Sequence, residues 1–183
     1  MQKATQMTAT KRLVLTAVNI ALCLVLPMAF HSIPNGGKIM LPMHIPVLLC
    51  GMVCGAPYGA VCGLLGPMLS SVLTGMPTAA LMPAMMVECA AYGLTTGLML
   101  RLVRTGKTYA DLYLSLVAAM LVGRLVSGVT KALFFMAGQY TMQAWIAASF
   151  VTALPGIVLQ LAVVPSIVYY LMRARLIPQR YPR

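Results

Sequence analysis

Apolar residues run through this chain in stretches that are long enough to cross a lipid bilayer. Short segments containing proline, glycine or charged residues separate them, and such residues are typical of turns and membrane surfaces. A spanning helix needs about 20 mostly apolar residues, so the pattern predicts six spans, the second of them short. They cover residues 13–30, 39–53, 58–73, 81–102, 112–137 and 145–171.

Prolines within two of these spans predict departures from a straight helix. Pro42 and Pro46 lie at the start of the second span, which we expect to be kinked or partly re-entrant. Pro155 and Pro165 predict bends in the sixth span.

The composition agrees with a membrane protein. Of the 183 residues, 61% are hydrophobic and 8% are charged, whereas soluble domains carry about 25% charged residues. We therefore expect an all-α membrane protein, a compact bundle of six transmembrane helices forming a single domain over residues 1–183. Six spans leave no room for a separate catalytic domain.

The basic residues cluster at the ends of the apolar runs. Because positive residues are retained on the cytoplasmic side, their distribution predicts that both termini are cytoplasmic, in a multi-pass protein of the cell membrane. The net charge of +11 is then explained by basic residues at the membrane surface, and no nucleic acid partner is expected. The predicted cytoplasmic side holds Lys3, Lys11, Arg12, Arg101, Arg104, Lys107, Arg173, Arg175, Arg180 and Arg183, and the opposite side holds Lys38.

Recognisable catalytic and metal-binding patterns are absent from the sequence. The five cysteines lie in apolar stretches without Cys-x-x-Cys spacing, so we interpret them as small packing residues and expect no metal and no cofactor. No Gly-x-Ser-x-Gly, His-Glu-x-x-His or paired carboxylates occur. We do not expect an enzyme, although an intramembrane enzyme that uses Glu88 with a histidine is an alternative.

Three charged residues lie well inside predicted spans: Glu88, Arg124 and Lys131. Each costs roughly 2.5 to 3.5 kcal/mol at a helix centre, so they are expected to face the bundle interior or a wet cavity. Arg124 and Lys131 are seven residues apart and share a helix face with Ser127. Glu88 lies at a depth where it can meet Lys131.

A Glu88–Lys131 pair leaves Arg124 without an acidic partner, because Asp111 belongs to the loop after the fourth span. An unpaired guanidinium at that depth needs an anion, carbonyl groups or water. We expect an anionic ligand such as a carboxylate. The alternative is that Arg124 binds carbonyls freed by a proline kink, or extends along a groove to the membrane surface.

Other polar residues are candidates for the same site. Tyr92 lies one turn from Glu88 and extends a polar seam along the fourth span. Asn35 and His44 flank the first outer loop and are expected to line or close the mouth of the pocket. Solvated positions in the loop are the alternative.

Glycines recur at four-residue spacing and predict close helix packing, although Pro57 interrupts the first series. They are Gly51, Gly55, Gly59 and Gly63, followed by Gly93 and Gly97. The alternative is that glycine is simply common in membrane helices.

Three segments of the chain resemble the S components of energy-coupling factor (ECF) transporters: LPMHIPVLLCGMVCG at residues 41–55, PYG at 57–59 and LTGMP at 73–77. The resemblance implies a subunit that captures a micronutrient from outside. It also implies docking on a membrane coupling protein with two ATPases, through an Ala-x-x-x-Ala motif that Ala17 and Ala21 match. Chance spacing of alanines is the alternative for that motif.

The resemblance also implies a ligand site among the first outer loop and the fourth to sixth spans. Glu88, Tyr92, Arg124, Ser127 and Lys131 occupy compatible positions. Two cations against one anion favour an acidic vitamin such as pantothenate, while riboflavin, a pyridoxine-type vitamin, folate and a queuine precursor stay open. A stand-alone secondary transporter or small channel is the rival function, although no internal repeat is evident.

Overall fold

The structure is a computed structural model that describes residues 7–30, 36–135 and 141–181; of Lys38, Phe134 and Phe135 only the backbone is described. The described residues form eight α-helices, two π-helical segments and no strands. The α-helices are α1 (Ala9–Ala29), α2 (Gly36–Met40), α3 (His44–Cys54), α4 (Ala56–Thr74), α5 (Met82–Leu102), α6 (Thr108–Thr130), α7 (Met142–Ile146) and α8 (Leu154–Arg173). The π-helical segments are Lys131–Phe135 and Ala147–Thr152.

Within the described parts of the chain, four helices are long and apolar enough to cross a membrane: α1, α4, α8, and α6 with its π-helical extension to Leu133. Helix α5 is equally long, with 21 residues, but Glu88, Tyr92 and two threonines lower its hydropathy. Helix α3 is apolar and short. The all-helical fold is thus confirmed, whereas the count of six spans stays a prediction.

The second predicted span is two helices in the structure, so its single range was wrong. Helix α2 ends at Met40 and α3 begins at His44, and between them Leu41 has a positive φ of 50°. Pro42 explains the interruption, because it lacks a backbone N–H and disfavours a helical conformation for the residue before it. The predicted kink at the start of this span is confirmed.

The sixth predicted span is also interrupted. Helix α7 continues into the π-helical segment Ala147–Thr152. After the single residue Ala153, α8 begins at Leu154 with Pro155 in its first turn. Proline is well accommodated in a first turn because its nitrogen needs no partner there. The predicted bend near Pro155 is therefore a restart of the helix.

Close contact of α5 with its neighbours confirms the packing predicted from glycine spacing, except at Gly55, where an added Cβ would meet nothing within 4 Å. A Cβ added to Gly59 or Gly93 would overlap the other residue's backbone. One at Gly63 would overlap the backbone of Cys89, and one at Gly97 would overlap Ala56. Since α5 also packs against α3 and α6, it is the central helix of the bundle.

Outward faces of the long helices carry many exposed leucine and valine side chains, including Leu13, Val14, Val18, Val72, Leu121, Leu125 and Val158. The five cysteines are buried and free, as expected of packing residues. Apolar side chains on the outside suit contact with lipid, where no water is available to penalise them.

Asp111 was expected in the loop after the fourth span, but it lies in the first turn of α6 and is fully buried. The segment after α8 folds back on it, so tertiary contacts shield a position that the local sequence marks as solvated.

Candidate ligand site around Glu88

Glu88 of α5 is the centre of a polar cluster between α3, α5 and α6. One of its carboxylate oxygens accepts a hydrogen bond from Ser127 Oγ at 2.6 Å and lies 3.3 Å from Lys131 Nζ. Ser127 is on α6, and Lys131 opens the π-helical segment that follows it. The predicted meeting of Glu88 with Lys131 is confirmed. Both side chains keep some exposure, 13% for Glu88 and 28% for Lys131.

His44 approaches the other oxygen of the same carboxylate. Its Nε2 lies 3.6 Å from Glu88 Oε1, and neither ring nitrogen has a hydrogen-bond partner among the described residues. The ring is buried and packs edge-on against Tyr92, with 4.9 Å between the ring centroids. His44 is therefore part of the bundle interior, and the alternative of a solvated loop histidine was wrong.

Tyr92 lies one turn further along α5 and is buried. Its ring packs against Gly123 of α6, where an added Cβ would lie 2.7 Å from ring carbons. Thr96 continues the polar seam of α5, but its hydroxyl donates to the Tyr92 carbonyl of its own helix at 2.5 Å. A threonine hydroxyl in a helix can bond to the carbonyl four residues earlier, so Thr96 is buried without a partner on another helix.

Arg124 of α6 points into the bundle and is 5% exposed. One terminal nitrogen of its guanidinium donates to the main-chain carbonyl of Ser149, in the π-helical segment Ala147–Thr152. The guanidinium carbon also lies 5.6 Å from the centroid of the Phe150 ring. The other terminal nitrogen is buried and has no partner among the described residues. Carbonyl binding, the alternative for Arg124, thus accounts for half of the guanidinium fork.

The segment that contains Trp145 covers this face of α6. The Trp145 indole donates from Nε1 to the Arg124 carbonyl at 3.2 Å and lies against Gly128, where a Cβ would be 2.5 Å from Nε1. Sequence reasoning missed Trp145, Ser149 and Phe150. The sequence held one signal for them, the sole tryptophan of the chain. A side chain of that size can lie against α6 only where α6 carries a small residue, here Gly128.

Two π-helical segments border the cluster, one carrying Lys131 and the other Ser149. Such segments interrupt the regular hydrogen-bond ladder and occur often at functional sites. We call Glu88, His44, Tyr92, Arg124, Ser127 and Lys131 the Glu88 site.

Of the other sequence candidates, one is not described by the structure and two, predicted for docking, lie on another helix. Asn35 lies outside the described residues. Ala17 and Ala21 are on α1, and both are exposed.

The Glu88 site has more positive than negative charge. Arg124 and Lys131 oppose the single carboxylate of Glu88, which gives two minus one, or +1 with His44 neutral. Asp111, the other acidic residue of the chain, lies with the C-terminal segment. Residues 7–30, 36–135 and 141–181 contain no group of three or more His, Cys, Asp or Glu that could hold a metal ion. Hydrogen-bond donors and two cations around one carboxylate thus define the chemistry of the site.

A family model described as "ECF transporter, substrate-specific component" matches residues 11–168, which is more than half of the chain. Comparison with curated proteins and with solved structures finds no match.

Proposed function

The chain belongs to the family of ECF transporter substrate-specific components, and on this basis we propose that it captures an acidic vitamin such as pantothenate at the Glu88 site, for import driven by ATP. The observation that carries the substrate class is the buried nitrogen of Arg124 that has no partner among the described residues. A buried donor without an acceptor costs about 1 to 3 kcal/mol. A ligand carboxylate would remove that cost.

The rest of the Glu88 site suits a ligand that also carries hydroxyl or amide groups. Glu88 Oε1 makes no hydrogen bond among the described residues, and His44 Nε2 is 3.6 Å from it. This oxygen can therefore accept a hydrogen bond from a ligand hydroxyl. Lys131 is partly exposed and can swing toward a second ligand oxygen. Apolar walls with a few placed polar groups are typical of small-molecule sites.

Ligand entry would require the segment Met142–Thr152 to move, because Ser149 occupies one arm of the Arg124 fork. A carboxylate accepts two parallel hydrogen bonds from a guanidinium, and it can therefore replace the single bond to the Ser149 carbonyl. The exchange favours the ligand because an ionised acceptor binds about twice as strongly as a neutral one.

The proposed topology has six spans with both termini in the cytoplasm. The four long apolar helices are joined by α3 and α5 as the shorter and the more polar crossings. The Glu88 site then opens toward the outside, since Glu88 lies near the start of α5 and the basic residues Arg101 and Arg104 lie at its end. Localisation in the cell membrane follows from this topology.

Docking on the coupling protein is proposed for the exposed face of α1 that carries Ala17 and Ala21. Two small side chains one turn apart let a partner helix approach closely. The membrane coupling protein would be joined by two ATPase subunits, because this chain shows no phosphate-binding loop of its own.

A thermal-unfolding screen of the purified chain tests the substrate class. Pantothenate, folate, riboflavin, pyridoxine and thiamin are compared, and a ligand at 100 times its dissociation constant stabilises by about 2.7 kcal/mol. Stabilisation by an acidic vitamin is the expected result. Selective stabilisation by thiamin, which is a cation, would contradict it.

A second measurement separates ATP-driven import from the rival function. The chain is produced in cells with and without a coupling protein and its ATPases, and uptake of the stabilising ligand is followed after ATP depletion. Uptake should require both the module and ATP. Uptake that persists without ATP but collapses with the proton gradient would identify a secondary transporter.

A further inference from the structure

A cavity of about 320 Å³ lies at the opposite end of the bundle from the Glu88 site. Leu100 of α5 lines it, 12 residues after Glu88, so the two regions are about 18 Å apart along that helix. Its inner wall is apolar and includes Met52 and Met172. The volume lies in the range of roughly 300 to 1,000 Å³ that is typical of small-molecule sites.

Three arginines from distant parts of the sequence line this cavity: Arg12 of α1, Arg104 of the α5–α6 loop, and Arg180 of the segment after α8. Arg180 is paired with Asp111 and also donates to the Val103 carbonyl. Tertiary folding thus concentrates three guanidinium groups around one space with a single acid beside them.

Among the described residues, Arg12 and Arg104 have no acidic side chain as a partner. The chain has only two acidic residues, of which Asp111 is taken by Arg180 and Glu88 belongs to the distant site. The Nε of Arg12 is buried and has no hydrogen-bond partner among the described residues. Arg104 is exposed, and its side chain makes no hydrogen bond among the described residues. Two uncompensated cations therefore face the cavity.

Phosphoryl groups match this combination better than carboxylates do. A phosphate monoester carries a charge of about −1.5 to −2 at neutral pH, which offsets two arginines, whereas a carboxylate offsets one. Guanidinium groups bind phosphate oxygens through paired N–H donors. The apolar inner wall accommodates an uncharged part of the same ligand.

We propose that this arginine-lined cavity is a binding site for a phosphoryl group. The group could come from an anionic lipid headgroup or from a free phosphate compound, and both present the same chemistry to Arg12 and Arg104. The site is independent of the Glu88 site and of the vitamin that binds there.

The test uses the purified full chain in neutral detergent. In one arm, inorganic pyrophosphate is titrated; in the other, phosphatidic acid or phosphatidylcholine is added to the micelles. The midpoint of thermal unfolding reports binding, and native mass spectrometry counts bound lipid. Saturable binding of pyrophosphate identifies a free phosphate site, and binding of phosphatidic acid alone identifies a lipid site.

Variants decide whether the arginines are responsible. Arg104→Gln and Arg12→Gln should each weaken binding about tenfold or more, the equivalent of one charge-assisted hydrogen bond. Arg101→Gln is the matched control, because Arg101 is exposed at the end of α5 and does not line the cavity. It should leave the affinity unchanged.

Two results would overturn the proposal. One is the absence of saturable binding in both arms. The other is an equal loss of affinity in Arg101→Gln and Arg104→Gln, which would indicate general attraction to a basic surface. If Arg12→Gln does not fold, Arg104→Gln decides alone, since its exposed side chain makes no hydrogen bond among the described residues.

Discussion

The two acidic residues of this chain sit in contrasting surroundings. The carboxylate of Asp111 is fully buried and accepts from four donors: Thr105 N at 2.8 Å, Thr105 Oγ1 at 2.6 Å, Tyr181 OH at 2.7 Å, and Arg180. The carboxylate of Glu88 has one short hydrogen bond, from Ser127, and looser contacts with Lys131 and His44. We call Asp111 with its donors the Asp111 cluster.

The difference separates a structural role from a binding role. Every acceptor position of Asp111 is taken by this chain's own groups, so the Asp111 cluster holds the C-terminal segment against the α5–α6 loop. Glu88 and Arg124 retain unused capacity in a buried setting, which is costly unless another molecule uses it. A saturated cluster stabilises the fold, and an unsaturated one is suited to a ligand.

Asp111→Asn should have the largest effect on stability. Removing one partner of a buried ion pair typically costs about 3 to 5 kcal/mol, and the 14% exposure of Arg180 places the expected loss near the lower end. Denaturant unfolding in detergent measures it. Glu88→Gln is the matched variant and should cost less than half as much. Equal losses would break the contrast between the two carboxylates.

Arg124→Gln should act on binding rather than on stability. Loss of a charge-assisted hydrogen bond costs about 1.5 to 3 kcal/mol, so affinity for an acidic vitamin should fall by roughly ten- to a hundredfold. Isothermal titration of the purified variant measures the affinity, with Arg101→Gln as the control for loss of a positive charge. Unchanged affinity in Arg124→Gln would exclude Arg124 from the ligand site.

Tyr181→Phe removes one donor from the Asp111 cluster and leaves the other three. Its hydroxyl bridges Asp111 and the backbone N–H of Gly106, at 2.7 and 3.0 Å. The expected loss is about 1.5 kcal/mol, at the low end for a hydrogen bond to a charged group. Tyr170→Phe, at an exposed tyrosine of α8, is the control and should be neutral. A neutral Tyr181→Phe would mean that the C-terminal segment is held by other contacts.

Coupling between Glu88 and Lys131 should be the smallest effect. A pair at 3.3 Å with one partner 28% exposed resembles surface ion pairs, which contribute about 0 to 1 kcal/mol. A double-mutant cycle of Glu88→Gln with Lys131→Gln measures the coupling directly. Coupling near 3 kcal/mol would show that the Glu88–Lys131 pair is as strong as a buried pair such as Asp111–Arg180.

Local sequence predicted much of the Glu88 site because a charged side chain in an apolar helix is stable only in the bundle interior or a wet cavity. The cost of facing lipid put Glu88, Arg124 and Lys131 in the interior, and helix geometry placed Ser127 between the two cations. The ligand roles of these residues, and of Asn35 outside the described range, stay predictions. The sequence could not show that Ser149 and Phe150 meet Arg124, because they lie 25 or more residues away along the chain.

Sequence alone determined the membrane setting, the helical class and the presence of close helix packing at glycines. Each follows from a pattern that acts within one helix: a long apolar run, or glycines at four-residue spacing. The saturation of Asp111, the burial of His44 and the gathering of three arginines around a cavity were decided by tertiary structure. These features depend on which segments, distant in the sequence, come into contact in the fold. The C-terminal segment contacts α6 in this way, and hydropathy carries no information about such contacts.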